Sequence, residues 1–160
     1  MAAIQVRPLA TADLDWVRDI LVRKWQSPRI VRRGSICNAD RLPGFVAVRE
    51  DRRVGLVTYV IQDEECEIVT LNSLEEGIGV GTSLVEAVRS EAITSKCRRL
   101  WLITTNDNLE ALSFYQRRGF VLAALYRNAL EQSRKLKPEI PRVGSHGIPI
   151  RDEIELEMNL

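Results

Sequence analysis

The chain has 160 residues, 45% of them hydrophobic and 28% charged, enough to bury the core of one domain without a disulfide or metal staple. Lys and Arg number 23 against 22 Asp and Glu, a net charge of +1, so the whole-surface electrostatic case for a nucleic-acid partner is missing. The longest uncharged stretches, 54–62 and 77–85, are nine residues each and too short to span a membrane. Residues 1–7 lack a basic segment followed by an apolar one, so no signal peptide is expected there. Cys37, Cys66 and Cys97 are widely spaced and odd in number. That pattern argues against a disulfide framework or zinc site and fits a reducing, cytoplasmic compartment. The expectation is one domain over residues 1–160.

In chain order, Ile4–Arg7 reads as a first strand. A helix starts near Thr11–Leu14, with Leu14, Val17, Ile20, Leu21 and Trp25 at helical spacing. Gln26–Leu42 is rich in Arg, is interrupted by Pro28 and Gly34, and reads as irregular. Three strands follow, Gly44–Arg49, Val54–Ile61 and Cys66–Leu71, joined by the charged turns Glu50–Arg53 and Asp63–Glu65, which makes an antiparallel meander. Next come a glycine loop (Gly77–Gly81), a helix (Thr82–Lys96) with Leu84, Val85, Val88, Ala92 and Ile93 on its apolar side, and an apolar strand (Leu100–Thr104). That order is a βαβ unit, so the strands around it should run parallel. Asn108–Arg118 reads as a helix and Phe120–Tyr126 as a strand. Arg134–Asp152 carries three prolines and two glycines and reads as a loop. Alternation of Ile154, Leu156 and Met158 with Glu153, Glu155 and Glu157 predicts a half-buried final strand, which either closes its own sheet or pairs across a homodimer. The fold class is α/β, a mixed sheet with flanking helices.

Gly77-Ile-Gly79-Val-Gly81-Thr82 stands directly after a strand and before a helix. Such glycines let successive backbone N–H groups converge, and the helix N-terminus adds partial positive charge, which suits phosphate or pyrophosphate. The loop lacks the Gly-Lys-Ser/Thr end of a Walker loop and the spacing of a dinucleotide fingerprint. Downstream, Asn108, Ala111 and Tyr115 share one helical face, and Gly119-Phe120 follows. Read alone, Asn108 could be a plain N-cap and Tyr115 a half-buried anchor, with Phe114 and Leu112 carrying the packing.

The ordered pair of motifs, over about Cys66–Phe120, resembles the GNAT-type N-acetyltransferases. Gly79 and Gly81 fall on the glycines of that family's Arg/Gln-x-x-Gly-x-Gly/Ala loop, and Asn108, Ala111, Tyr115, Gly119 and Phe120 on its Asn-x-x-Ala-x-x-x-Tyr and Gly-Phe. The resemblance implies a GNAT-like fold in which the strands Cys66–Leu71 and Leu100–Thr104 are parallel and splayed. It implies acetyl-CoA as cofactor, its pantetheine arm pairing near Leu71–Ser73 and its pyrophosphate held by backbone N–H groups of Gly77, Gly79, Val80, Gly81 and Thr82. Asn108 would bond the arm, Ala111 would leave room for it, and Tyr115 would protonate the leaving thiolate. The acceptor would be a primary amine, on a small molecule or a peptide, attacking directly. The alternative is a non-catalytic acyl-CoA-binding or regulatory domain on the same fold.

The family's Arg or Gln is replaced here by Glu76, preceded by Glu75, and carboxylates repel a pyrophosphate unless they point into solvent. Glu67 is the first candidate for the base that takes the amine proton, with Glu65 on the same face; surface charge is the competing reading of both. Arg32 and Arg33 could meet an acceptor carboxylate or form a solvated face. His146, the only histidine, could line the acceptor mouth or be exposed, and it excludes a multi-histidine metal site. Arg134, Lys135, Lys137 and Arg142 could receive an acidic acceptor or the 3′-phosphate of CoA, or keep the loop solvated. No cysteine has a nearby histidine in sequence, so no acyl-cysteine intermediate is expected.

Overall fold

The computed structural model describes residues 2–160 and divides them into two compact units, one of residues 2–30, 38–100 and 160, the other of 31–37 and 101–159. The strands are β1 (Gln5–Pro8), β2 (Arg29–Arg32), β3 (Ser35–Asn38), β4 (Gly44–Arg49), β5 (Arg52–Gln62), β6 (Glu65–Ser73), β7 (Arg99–Thr105), β8 (Val121–Tyr126) and β9 (Glu153–Asn159). The helices are α1 (Leu14–Trp25), α2 (Val80–Thr94), α3 (Leu109–Arg117) and α4 (Ala129–Leu136). The class is mixed α/β, as the alternation of sequence periods implied.

In the first unit β1, β4, β5 and β6 lie side by side, each pair antiparallel, so the expected meander is present with β1 added at its edge. Val46, Leu56, Val57 and Ile68 of these strands, Val17, Ile20 and Leu21 of α1, and Val80, Leu84, Val85 and Val88 of α2 are all buried. Ile93, assigned to the apolar side of α2, is instead 48% exposed, and Val80 at the helix start is buried. The turns are tighter than the charged clusters suggested. Arg49 pairs with Arg52 and Gln62 with Glu65, leaving Glu50-Asp51 and Asp63-Glu64 as two-residue turns with positive φ at both positions. Those backbone signs match the twist of the flanking strands. Beside Thr58 the register slips: Thr58 faces Thr70 and Tyr59 faces Ile68, so Val69 is an extra residue that bulges β6.

The second unit holds β7 from Trp101 onward, β9 and β8, in that lateral order, with β8 antiparallel to β9. The final strand is therefore interior and β8 is the outer one. Burial along β9 also departs from clean alternation, since Glu153 is 2% exposed and Leu156 is fully buried.

Two segments read as irregular are regular. Gln26–Leu42 contains the β2–β3 hairpin, turned through Arg33-Gly34 at positive φ. Arg134 and Lys135 lie in α4 rather than in a loop. The remainder, 137–152, is pinned by polar bonds. Asn106 donates through Nδ2 to the Pro149 carbonyl and accepts the N–H groups of Arg151 and Asp152 on Oδ1. Asp107, buried, accepts the Ser145 N–H at 3.0 Å. Arg134 donates to the carbonyls of Ile140, Pro141 and Ile150. A proline-rich loop keeps one conformation when its carbonyls have such donors.

Candidate active site

The glycine loop starts where β6 ends. Gly77 and Gly79 have φ of +78° and +87°, values that L side chains rarely adopt, and space is open where a Cβ would project from either. Gly79 is the N-cap of α2 and carries no side chain to cap it. The first α2 hydrogen bond runs from the Ser83 N–H to the Gly79 carbonyl, so the N–H groups of Val80, Gly81 and Thr82 precede the helical ladder and point along its positive end. This is the geometry of an anion cradle. Leu71 and Ser73 lie just upstream on β6, opposite Val57 and Gly55, and the Ser73 hydroxyl donates to the Glu75 carbonyl at 2.9 Å.

Glu75 does not face the loop as an unmatched charge. Its two oxygens accept from Arg49 and Arg52, each at 2.8 Å. Glu76 is exposed. The repulsion expected from two carboxylates is thus offset by two guanidinium groups at one and relieved by solvent at the other. The arginines were missed in the sequence, yet a signal was there: they flank a two-residue turn, so they stand opposite one another and call for a shared anion.

Gly55, also missed, sets where the loop sits. A Cβ there would come within 2.4 Å of Val80 Cγ1 and 2.9 Å of Leu84 Cδ1, so only glycine lets the first turn of α2 rest on β5.

On β6, Glu67 is 5% exposed. Glu65 bonds Arg99, which makes it an ion-pair partner rather than an available base. Burial pushes the Cys66 thiol up to about 12, with Cys97, Glu67 and Glu91 adding to the effect, so this sulfur stays protonated.

In the second unit, Asn108 is the N-cap of α3, its Oδ1 accepting the Ala111 N–H at 3.1 Å. That bond occupies the acceptor end of the amide and leaves the Nδ2 end as what Asn108 presents. Ala111 is half-buried, one turn before Tyr115. Tyr115 is the buried residue of α3 at 6% exposure, its ring edge-on to Phe114 and Phe120, so it carries the packing assigned to Leu112 and Phe114. Burial raises the phenol above its ordinary value, and the Arg118 charge opposes this.

Two of the remaining polar candidates, Arg33 and His146, have partners. The Arg33 backbone N–H donates to both oxygens of buried Glu153 at 3.2 and 3.1 Å, and its guanidinium lies 3.3 Å above the Tyr126 ring centroid. Burial raises the Glu153 carboxyl, against the pull of Arg33. Tyr126 in turn donates to Glu155. His146 bonds Glu110 at 2.7 Å. No helix among the described residues is long and apolar enough to cross a membrane.

Comparison with known proteins matches the geometry. The acetyltransferase (GNAT) family profile fits residues 13–120. Two proteins of Bacillus subtilis strain 168 are similar over most of their length: YdhI, 45% identical over 85% of this chain and 86% of its own, and YxbD, 40% identical over 98% and 99%. Among solved structures, a GNAT acetyltransferase from Elizabethkingia anophelis with acetyl-CoA bound superposes with a TM-score of 0.69 at 21% identity, covering 98% of both chains. By the family profile and the two relatives, this chain belongs to the acetyltransferase (GNAT) family.

Proposed function

We propose that this protein transfers the acetyl group of acetyl-CoA to a primary amine, small-molecule or peptidic, by direct attack, with residues 1–160 acting as one N-acetyltransferase domain. The observation that carries the reading is the strand-to-helix loop, where Gly77 and Gly79 hold positive φ beside an uncapped helix start. Family membership and the acetyl-CoA bound to the Elizabethkingia relative support that cofactor.

In this reading the pyrophosphate rests on the N–H groups from Gly77 to Thr82, and the pantetheine arm pairs with β6 near Leu71 and Ser73. Asn108 donates through Nδ2 to the arm, and Ala111 leaves it room. A β6 backbone N–H beside the Val69 bulge polarises the acetyl carbonyl. The amine lone pair attacks the carbonyl carbon, and the tetrahedral intermediate collapses by breaking the C–S bond. The amine's proton goes to Glu67, and the CoA thiolate takes a proton from Tyr115.

Burial raises the Tyr115 phenol, so it keeps its proton across the neutral and alkaline range in which thiolates form. Activity should therefore show no alkaline decline from this group at or below the ordinary phenol value of about 10.

The test is thiol release from acetyl-CoA over a panel of primary amines. The reading predicts release with at least one amine, and a fall of about 10²-fold in kcat for Tyr115→Phe with KM for acetyl-CoA little changed. Acetyl-CoA binding without release for any amine would replace it with a non-catalytic acyl-CoA-binding domain.

A further inference from the structure

Two hydroxyl groups lie in the core of the first unit. Thr58 of β5 is fully buried and Thr70 of β6 is 1% exposed, and their Oγ1 atoms are 2.6 Å apart. They belong to residues that face one another across the ladder. A pair of valines would have nearly the same shape without two buried oxygens, so apolar packing gives no reason for the pair. Strand register does.

An O–H···O bond holds only while the two oxygens stay within about 3 Å. Sliding one strand by a single residue carries each side chain about 3.3 Å along and turns it to the other face. Two valines would accept either alignment, whereas two bonded hydroxyls accept one. The bulge in β6 follows from this. At the turn, Gln62 pairs with Glu65; further along, Thr58 pairs with Thr70. Between these two pairs β5 advances four residues and β6 five, so one β6 residue is surplus, and Val69 is left without a β5 partner. If the turn's register ran on unchecked, Thr58 would face Val69. The surplus residue would then move toward Leu71, and Val69 would rejoin the ladder.

We infer that the Thr58–Thr70 bond is a register lock for the reacting centre, which makes both threonines positioning residues. The inference rests on the acetyl-transfer reading above, in which a β6 N–H beside Val69 polarises the acetyl carbonyl. The two-residue turn sets the ladder on one side of the bulge, and the hydroxyl bond sets it on the other. The surplus residue is trapped between them at Val69, so the N–H groups there keep one direction. Neither hydroxyl touches substrate, since both are enclosed in the core. They act through the backbone that they hold.

Valine substitutions separate the lock from ordinary packing. Thr58→Val or Thr70→Val alone strands one buried hydroxyl, whereas the double variant removes both. The double variant should therefore melt above either single one and within about 3 °C of wild type. Its kcat should still fall about tenfold or more, with KM for acetyl-CoA changed less than about threefold, because the glycine loop is untouched. Thr70→Ser, which keeps the hydroxyl, should hold kcat within about threefold of wild type. A double variant with wild-type kcat, or with its loss confined to KM, overturns the inference. Register is read apart from activity by cross-strand NMR contacts. Wild type should show position 58 against position 70 alone, and the double variant should add contacts from position 58 to Val69. An unchanged contact set in the double variant overturns the lock whether or not any amine is acetylated, which distinguishes this failure from failure of the acetyl-transfer reading.

Discussion

Gly55 of β5 and Val80 of α2 lie so close that a Cβ at position 55 would stand 2.4 Å from Val80 Cγ1. The residue that fixes the anion cradle is thus 22 positions before the first glycine of the loop, on the strand that also carries Arg52. Gly55→Ala should push the first turn of α2 off the sheet. The expected cost is about 1–3 kcal/mol in stability, with acetyl-CoA binding weakened about tenfold beyond what Tm loss accounts for. Denaturant melts with calorimetric titration check both. Unchanged affinity would show that the cradle tolerates displacement.

Glu75 joins Arg49 to Arg52 next to the loop. Glu75→Gln removes the anion these opposed arginines share, at a cost of about 1 kcal/mol, since the site is partly open to solvent. Because Glu75 is already compensated, acetyl-CoA affinity should change by less than about threefold at physiological salt. A gain of tenfold or more would mean that the carboxylate does repel the pyrophosphate.

Asp13 is a buried carboxylate shared by Arg7 and Arg53, with the Ala10 N–H as a third donor. The Arg7 guanidinium foremost, then the Ala10 N–H and Arg53, holds its carboxyl far below the usual range against the opposing effect of burial. A depressed carboxyl adds stability that is complete above the unfolded-state value of about 3.9 and is lost as pH falls toward the folded value. Asp13→Asn should cost about 2–4 kcal/mol at neutral pH, where it leaves two arginines facing a neutral amide. It should also flatten the fall in stability below about pH 4. Urea melts at pH 7 and pH 3 measure the difference, and an equal slope in both proteins would contradict it.

Glu50 and Asp51 form a two-residue turn with φ of +52° and +60°. Such positions favour Asn and Gly. Glu50→Asn with Asp51→Gly should raise stability by about 1 kcal/mol, read as a higher urea midpoint at constant m-value.

Much of this fold is legible where one periodicity runs for several residues. The α1 positions Val17, Ile20 and Leu21 and the β5 run from Val54 are core in the structure as their spacing implied. The α4 helix was hidden because it is short and polar, with only Leu130 and Ser133 buried. The β2–β3 hairpin was hidden because Ile30 alone is buried among its arginines, though Arg33-Gly34 was a turn signal. For the candidate site, the glycine loop before α2 and the helix from Asn108 to Tyr115 stand where the sequence placed them because their signals are local in sequence. Gly55, Arg49 and Arg52 act through strand register and helix contact, which no linear spacing records.

The central claim is tested most directly by calorimetric titration of the protein with acetyl-CoA, beside Gly79→Glu as control. Binding in the micromolar range, lost in the control whose side chain and charge enter the cradle at a positive-φ site, is the predicted result. No heat of binding up to millimolar acetyl-CoA, or equal binding by the control, would contradict the assignment of Gly77–Thr82 as the pyrophosphate site.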